Sequence, residues 1–499
     1  MANQSVDFSD VQGLLRFGYG ALTEATFLLL RVRDTVAAAQ WLASAPITNA
    51  VELDKAPPTA LQVAFTRQGL ETLKLRPDIL AGFSDEFLSG MCGEENRSRR
   101  LGDIESNAPE YWLWGNTGRV PDLLVMFYAQ KGRLQEFRDS VQGPGWGAIF
   151  EVMAALPTSN LQGVEPFGFT DGISQPTLDW QLTRTAADQL SYTNVSCLGE
   201  FLLGYPNEYG RYTDRPLLTA AADTSILPEA EDAPGMRDLG RNGTYLVLRQ
   251  LQQDVRGFWR FIDRCSNGNS QGRDQLAWRM VGRTRQGDPL ISPSSQPIAG
   301  VSPGTPSNQF TYDSDVSGTA CPFGAHIRRA NPRNADFPPG TSGLFSKLVH
   351  NLGFTKVGVR EDIESSTRFH RLLRRGREYG PGLSPEQALQ TDYPDTEEHG
   401  IQFICLNANI SRQFEFVQGA WIMSTKFNGM TSESDPLLGN RQPIPGCPVT
   451  SNFIIPQVSG PARRIEGLPQ FITVRGGAYF FMPGIRALQF LTGQAGKGS

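Results

Sequence analysis

The chain has 499 residues, 39% of them hydrophobic, and a net charge of −5. That length allows two or three domains around a core that needs no disulfide or metal staple. Basic residues are scattered among acidic ones, which excludes a general polyanion surface, and no stretch reaches the roughly 18 apolar residues of a membrane helix, so neither nucleic acid nor membrane is an expected partner.

In chain order, Ala25–Val32 is rich in strand formers, Thr35–Ala45 reads as a helix, Leu61–Thr66 as a second strand, and a further helix opens at Arg67. The second half repeats the order, with a strand at Thr244–Leu248, a helix over Gln250–Cys265, a strand at Gln402–Asn407 and a helix opening over Ser411–Gln418. A strand-helix-strand unit met twice suggests an α+β chain of two ferredoxin-like halves with antiparallel sheets packed together, residues 1–215 and 216–499. The join is expected in Tyr205–Arg241, which is loop-like and carries the acidic run Glu229-Ala-Glu-Asp. A second irregular tract, Arg285–Gly324, is dense in Pro, Ser and Gly and delivers the chain to His326.

Met1 to Leu30 holds Asp7, Asp10, Arg16 and Glu24 and lacks the basic start and apolar run of a signal peptide, so a cytoplasmic location is expected. Sequons at Asn3, Asn96, Asn194, Asn242 and Asn409 keep a secreted mature form open. The six cysteines, at 92, 197, 265, 321, 405 and 447, form no C-x-x-C pair and suggest neither a zinc site nor a disulfide framework; Cys405 is expected to be a small buried hydrophobe.

Chemistry concentrates in two segments. Cys321-Pro-Phe-Gly-Ala-His326-Ile-Arg-Arg-Ala-Asn-Pro-Arg333 sets one of only four histidines among three arginines. A neutral imidazole beside fixed cations can serve as an axial iron ligand where the porphyrin brings two carboxylates. Gly168-Phe-Thr-Asp171-Gly172, continuing Ile-Ser-Gln-Pro, presents a carboxylate between glycines, an arrangement that on its own describes an ordinary turn.

Together these segments resemble the paired signatures of the dye-decolorizing peroxidases, a haem peroxidase family, and the resemblance fits best the long fungal and related bacterial members. It extends to Phe201-Leu-Leu-Gly-Tyr-Pro-Asn-Glu-Tyr-Gly210 and Ile410-Ser-Arg-Gln-Phe-Glu-Phe-Val417. It implies the dimeric α+β barrel type of fold with haem b mainly in the C-terminal half. It also implies His326 as axial ligand, ahead of His350, His370 and His399, Asp171 as distal acid/base, and Arg374 as distal cation. The choice of Arg374 over Arg371 or Arg375 in Leu372-Leu-Arg-Arg-Gly-Arg-Glu-Tyr-Gly380 rests on the resemblance alone. Ile401 and Phe403 fall where the family places apolar side chains over the haem, though ordinary core explains them nearly as well. Asp435 resembles the acidic partner of the proximal imidazole, Arg328 is the expected propionate partner, and Tyr379 and Trp421 coincide with surface electron-transfer positions.

No Arg-x-x-x-His pair stands where a plant-type peroxidase would place a distal imidazole. A carboxylate in that role works best at acidic pH, since its reference pKa is about 4. The expected activity is reduction of hydrogen peroxide with one-electron oxidation of dyes, phenolics and other aromatic donors. Rival readings are a haem-binding or iron-release protein of the same fold with little turnover, and a haem-free scaffold. The interval between His326 and Arg374, filled by 337–369, reads as an insertion near the haem mouth. The sequence names neither the physiological reductant nor the oligomeric state.

Overall fold

The computed structural model describes residues 5–184, 192–294, 296–302, 306–334, 367–444 and 447–495. In the first half, β1 (Glu24–Val32), α1 (Thr35–Ser44), β2 (Thr59–Phe65), β3 (Leu123–Ala129), α2 (Leu134–Gln142) and β4 (Phe150–Pro157) follow one another. The strands lie in the order β2-β3-β1-β4, all antiparallel, the ferredoxin-like arrangement. Phe27–Leu30 reads as an unbroken apolar run because both faces of β1 are covered: Leu28 and Leu30 join one core, Phe27 and Leu29 the other. Asp34 starts α1 by accepting the Ala37 N–H at 3.0 Å.

The second half repeats the plan with β5 (Thr244–Gln253), α3 (Val255–Cys265), α4 (His326–Ala330), β6 (Leu373–Arg374), β7 (Arg377–Tyr379), β8 (Gly400–Asn407) and β9 (Ile472–Met482). Here β8 lies between β5 and the short pair β6 and β7, and β9 flanks β5 on its other side. The two halves meet edge to edge, β9 against β2 at Phe481 and Phe65, in one nine-stranded sheet that does not close into a barrel. Both phenylalanines are fully buried, so the seam between the halves is itself core.

Two sequence expectations shift. Gln250–Gln253 belong to β5 and not to the helix, because β8 and β9 pair with them from both sides and Trp114 Nε1 donates to Gln250 Oε1 at 2.9 Å. Only at Asp254, whose carboxylate accepts the Gly257 N–H at 2.8 Å, does α3 begin. The helix expected from Ser411 is wound as two consecutive π-helical pieces, Ser411–Glu415 and Val417–Ile422, a winding that recurs at functional sites. The expected insertion falls almost wholly outside the described residues, as does His350.

Among the described residues no helix is long and apolar enough to cross a membrane. Asn194 and Asn242 are buried and hydrogen-bonded, which removes them as glycosylation acceptors, whereas Asn96 is exposed.

Because one side-chain cap sets the strand-to-helix boundary at β5, Asp254→Ala is expected to cost about 1 kcal/mol. A urea midpoint lowered at unchanged slope would report it; an unmoved midpoint would assign the boundary to packing instead.

Candidate functional site

His326 stands at the first position of α4. Its Nδ1 lies 2.9 Å from Oδ2 of Asp435, a carboxylate with no solvent exposure. The other oxygen of Asp435 accepts the N–H groups of Leu437 and Leu438, both at 2.9 Å. Burial raises the Asp435 pKa, but His326, Arg329 and these donors outweigh it and leave the group below the usual carboxylate range. An ionised Asp435 accepts from Nδ1–H, which fixes the imidazole tautomer and turns the Nε2 lone pair outward. Burial lowers the His326 pKa, while the charge and hydrogen bond of Asp435 raise it by more.

Asp171 lies in a turn whose glycines have left-handed backbone, Gly168 at φ +96° and Gly172 at φ +78°, so the G-x-x-D-G pattern is a steric requirement. Its Oδ1 accepts the Gly172 N–H at 2.6 Å and Nη1 of Arg374 at 2.7 Å. Oδ2 and the remaining guanidinium nitrogens of Arg374 have no partner among the described residues, and the Asp171 side chain keeps 45% of its exposure. Burial raises the Asp171 pKa, but the Arg374 charge and hydrogen bond, the Gly172 N–H and the His326 charge bring it below the usual value. Arg374 is opposite Cys405 across β6 and β8, so it shares a sheet face with Phe403 and Ile401, which follow at alternate positions. Gln175, four residues after Asp171, holds the Arg374 N–H with its Oε1 at 3.0 Å.

Phe403 and Ile401 are both half-buried. Phe403, with Leu251, Phe414, Met423 and Leu438, lines a cavity of about 40 Å³ whose polar end is the buried ion pair of Arg249 and Asp103. Ile401 faces Leu251 of β5 in the ladder.

Other expectations change. Arg328 does not open toward Asp171 and Arg374: Nη1 donates to Asp315 Oδ2 at 2.9 Å and to the Cys321 carbonyl at 2.6 Å, with the Tyr312 and Phe323 rings 4.4 and 4.5 Å away. Asp315 also accepts the Ala320 and Cys321 N–H groups, so Arg328 holds the approach to α4. Among the buried arginines with no carboxylate ion pair among the described residues, Arg283 and Arg333 lie together beside Ser174. Both donate to Ser174 Oγ, at 3.0 and 3.4 Å, and to backbone carbonyls. Arg333 ends the segment singled out in the sequence; Arg283 carries no local signal. Tyr379 is 6% exposed and donates to Glu398 Oε1 at 2.7 Å, because its alternation along β7 turns it inward; it is not a surface residue. Trp421 is half-buried and edge-on to the stacked rings of His370 and Phe416, at 5.3 and 5.4 Å. His399 spends both nitrogens, on the Pro381 carbonyl and Asp395, and His370 spends Nδ1 on the Arg412 carbonyl.

This donor set fits an iron porphyrin: an imidazole with one nitrogen anchored and the other free, and two buried guanidinium groups suited to carboxylates.

No family model matches the chain. It is 27% identical over 450 residues to dye-decolorizing peroxidase msp1 of Mycetinis scorodonius, covering 87% of this chain and 76% of that one. To dye-decolorizing peroxidase AauDyP1 of Auricularia auricula-judae it is 26% identical over 512 residues, 98% and 87% of the two chains. Among solved structures, a dye-decolorizing peroxidase in complex with cyanide superposes with TM-score 0.72 at 22% identity over 98% of this chain and all of that one. AauDyP complexed with imidazole gives 0.71 at 24% identity over the same shares, 98% and 100%. In sequence over nearly its whole length, and in fold, the chain is a relative of the dye-decolorizing peroxidases of the long, fungal-like type.

Proposed function

We propose that the protein is a haem b peroxidase that reduces hydrogen peroxide and oxidises dyes, phenolics and other aromatic donors by one-electron steps, with His326 as axial ligand, Asp435 as its partner, and Asp171 and Arg374 as the distal pair. The observation that carries this reading is the Asp171–Arg374 ion pair, which keeps an unengaged oxygen and nitrogens and whose charges act on the His326 imidazole. Bound haem would take two oxidising equivalents from peroxide and return them singly, so that one peroxide and two donors AH give two waters and two radicals A•.

The residues of the chain supply the rest. Asp171, ionised beside Arg374, accepts a proton from the bound peroxide at Oδ2 and returns it to the departing oxygen. Arg374 stays protonated throughout and offsets the negative charge that develops as the O–O bond breaks. Asp435 makes the His326 imidazole more basic, and Ile401 and Phe403 wall the face toward Asp171 and Arg374. Arg283 and Arg333 replace Arg328 as partners for the haem carboxylates. On a division near residue 215, Asp171 comes from the first half and every other named group from the second except Arg374's partner Gln175. Tyr379 and Trp421 remain the electron-transfer candidates, and Trp421 is preferred because Tyr379 is screened from bulky dyes. A haem carrier or iron-release protein would have no use for an acid/base pair held this way, and the peroxide reading accounts for it.

An absorption spectrum before and after one equivalent of peroxide tests the function. His326→Ala is expected to lose stably bound haem, because the axial bond is the one directional link between iron and protein; a normal ferric spectrum in that variant would remove the ligand assignment.

Asp171→Asn should slow the peroxide step about 100- to 10,000-fold and Arg374→Leu about 100- to 1,000-fold, with haem retained. Since Asp171 is held below the usual range, its base form persists as pH falls. Protonation of Asp171 should therefore slow the wild-type enzyme only below about pH 4, the ordinary carboxylate value. Stopped-flow rates near wild type in both variants would reject the pair.

For Trp421→Phe the expected loss is confined to a large dye, with small-phenol oxidation and peroxide activation intact, while Tyr379→Phe changes little. Wild-type dye rates in Trp421→Phe would take Trp421 out of the electron path.

A further inference from the structure

Six residues before Asp171, the chain folds back on itself: Glu165 N–H donates to the Phe169 carbonyl at 2.9 Å, Gly168 N–H to the Glu165 carbonyl at 2.8 Å, and Asp171 N–H to the Gly163 carbonyl at 2.9 Å. The carboxylate of Glu165 closes this turn from inside. Its Oε2 accepts the Phe167 N–H at 3.0 Å and Gln253 Nε2 at 2.8 Å, and its Oε1 accepts the Phe169 N–H at 3.0 Å. All three donors are neutral, and no ion pair to Glu165 occurs among the described residues. Gln253 is the last residue of β5, so the carboxylate ties a turn of the first half to the sheet of the second. The side of the turn toward α3 is held differently: the Phe167 ring packs on Phe258, Phe169 stacks on Trp259, and Trp259 Nε1 donates to the Phe167 carbonyl at 3.1 Å.

We infer that Glu165 is a positioning residue for Asp171: its ionised carboxylate gathers three neutral N–H donors and fixes the turn in the conformation that presents Asp171 to Arg374. This rests on the reading of Asp171 as the distal acid/base. A carboxylate holding backbone N–H groups does so more strongly charged than neutral, because charge-assisted hydrogen bonds are about twice as strong. The turn is therefore tightest where Glu165 is ionised. Burial pushes Glu165 up to about 7 against the pull of its three donors, with the Asp171 charge adding to the rise. The other charged groups around the turn are Arg285, whose Nε reaches the Gly168 carbonyl, Asp254 beside Gln253, and Arg374 beyond Asp171. A carboxyl whose pKa is raised on folding loses stability as pH rises from its unfolded value, about 4.3, to its folded one. Ionised Glu165 is thus kept at a cost to the fold, and removing its charge relieves that cost.

Glu165→Gln in the haem-loaded enzyme tests this, since the amide presents one acceptor where the carboxylate presents two. At pH 8 the second-order rate with peroxide should fall roughly tenfold, the scale of a small misplacement of a reacting group. The deficit should shrink to within about twofold at pH 5, where wild type carries a neutral carboxyl. Hydrogen exchange, corrected for intrinsic pH dependence, should show the Phe167 and Phe169 amides losing protection in wild type as pH falls through about 7. In Glu165→Gln they should be poorly protected at both pH values, with the melting temperature at pH 8 not lowered. A variant with wild-type rate and amide protection at pH 8 overturns the proposal, as does a rate deficit independent of pH. Asp171→Asn run alongside separates the two readings: if it is fast, the distal role of Asp171 fails; if it is slow while Glu165→Gln matches wild type, only the positioning role fails.

Discussion

The arrangement of the site depends on one charge held without water. Asp435 is fully buried, and its two oxygens are committed to an imidazole N–H and two backbone N–H groups. An ion in that setting persists only while every partner stays in place, since losing a single partner of a buried charge is far costlier than the net worth of the bond. The loop after Asp435 and the first residue of α4 therefore fix each other. Arg329 adds a second tie, donating to the carbonyls of Trp421, Ser424 and Glu433, so α4, the π-helical segment and the Asp435 loop form one unit around His326.

Against that rigid side stands one assembled from both halves of the chain. Asp171 belongs to a turn just after β4 and Arg374 to β6, far apart in sequence but joined by a direct ion pair and by Gln175 on the Arg374 backbone. Edge-to-edge joining of the sheets through β9 and β2 gives both halves a common frame, and sheet register then decides which side chains share a face with Arg374. A slip of one residue in β6 against β8 would turn Arg374 to the other face and leave Asp171 without its cation.

Much of this was legible in the sequence, and the reasons differ by residue. The repeated strand-helix-strand order showed because central strands covered on both faces are unbroken apolar runs. Asp171 showed because its glycines are required by positive φ, and His326 because its surroundings extend over a dozen positions. The engagement of Arg328, the expected propionate partner, did not show. Arg328 is next to the ligand in sequence, but a single helical turn points it at Asp315 and the Cys321 carbonyl, and its charge is already matched there. Nor did the inward turn of Tyr379 or the strand conformation of Gln250–Gln253, since each depends on pairing with residues more than a hundred positions away or on the far side of a hairpin.

Charge accounting separates the buried arginines paired with a carboxylate from those, Arg329, Arg283 and Arg333 among them, that have no such ion pair among the described residues. Arg328 with Asp315 and Arg249 with Asp103 are matched pairs, Arg215 lies between Asp238 and Asp232, and all three serve the scaffold. Arg283 and Arg333 are also buried but, among the described residues, donate only to hydroxyl, amide, phenol and carbonyl oxygens, and burial together with the charge of Arg333 pushes Arg283 down to about 10. Two adjacent guanidinium groups without a carboxylate are expensive in a low-dielectric interior unless an anion completes them. A porphyrin bearing two propionates is such an anion. If haem binds as proposed, its carboxylates would complete the charge balance of this region, and loading it should stabilise the fold.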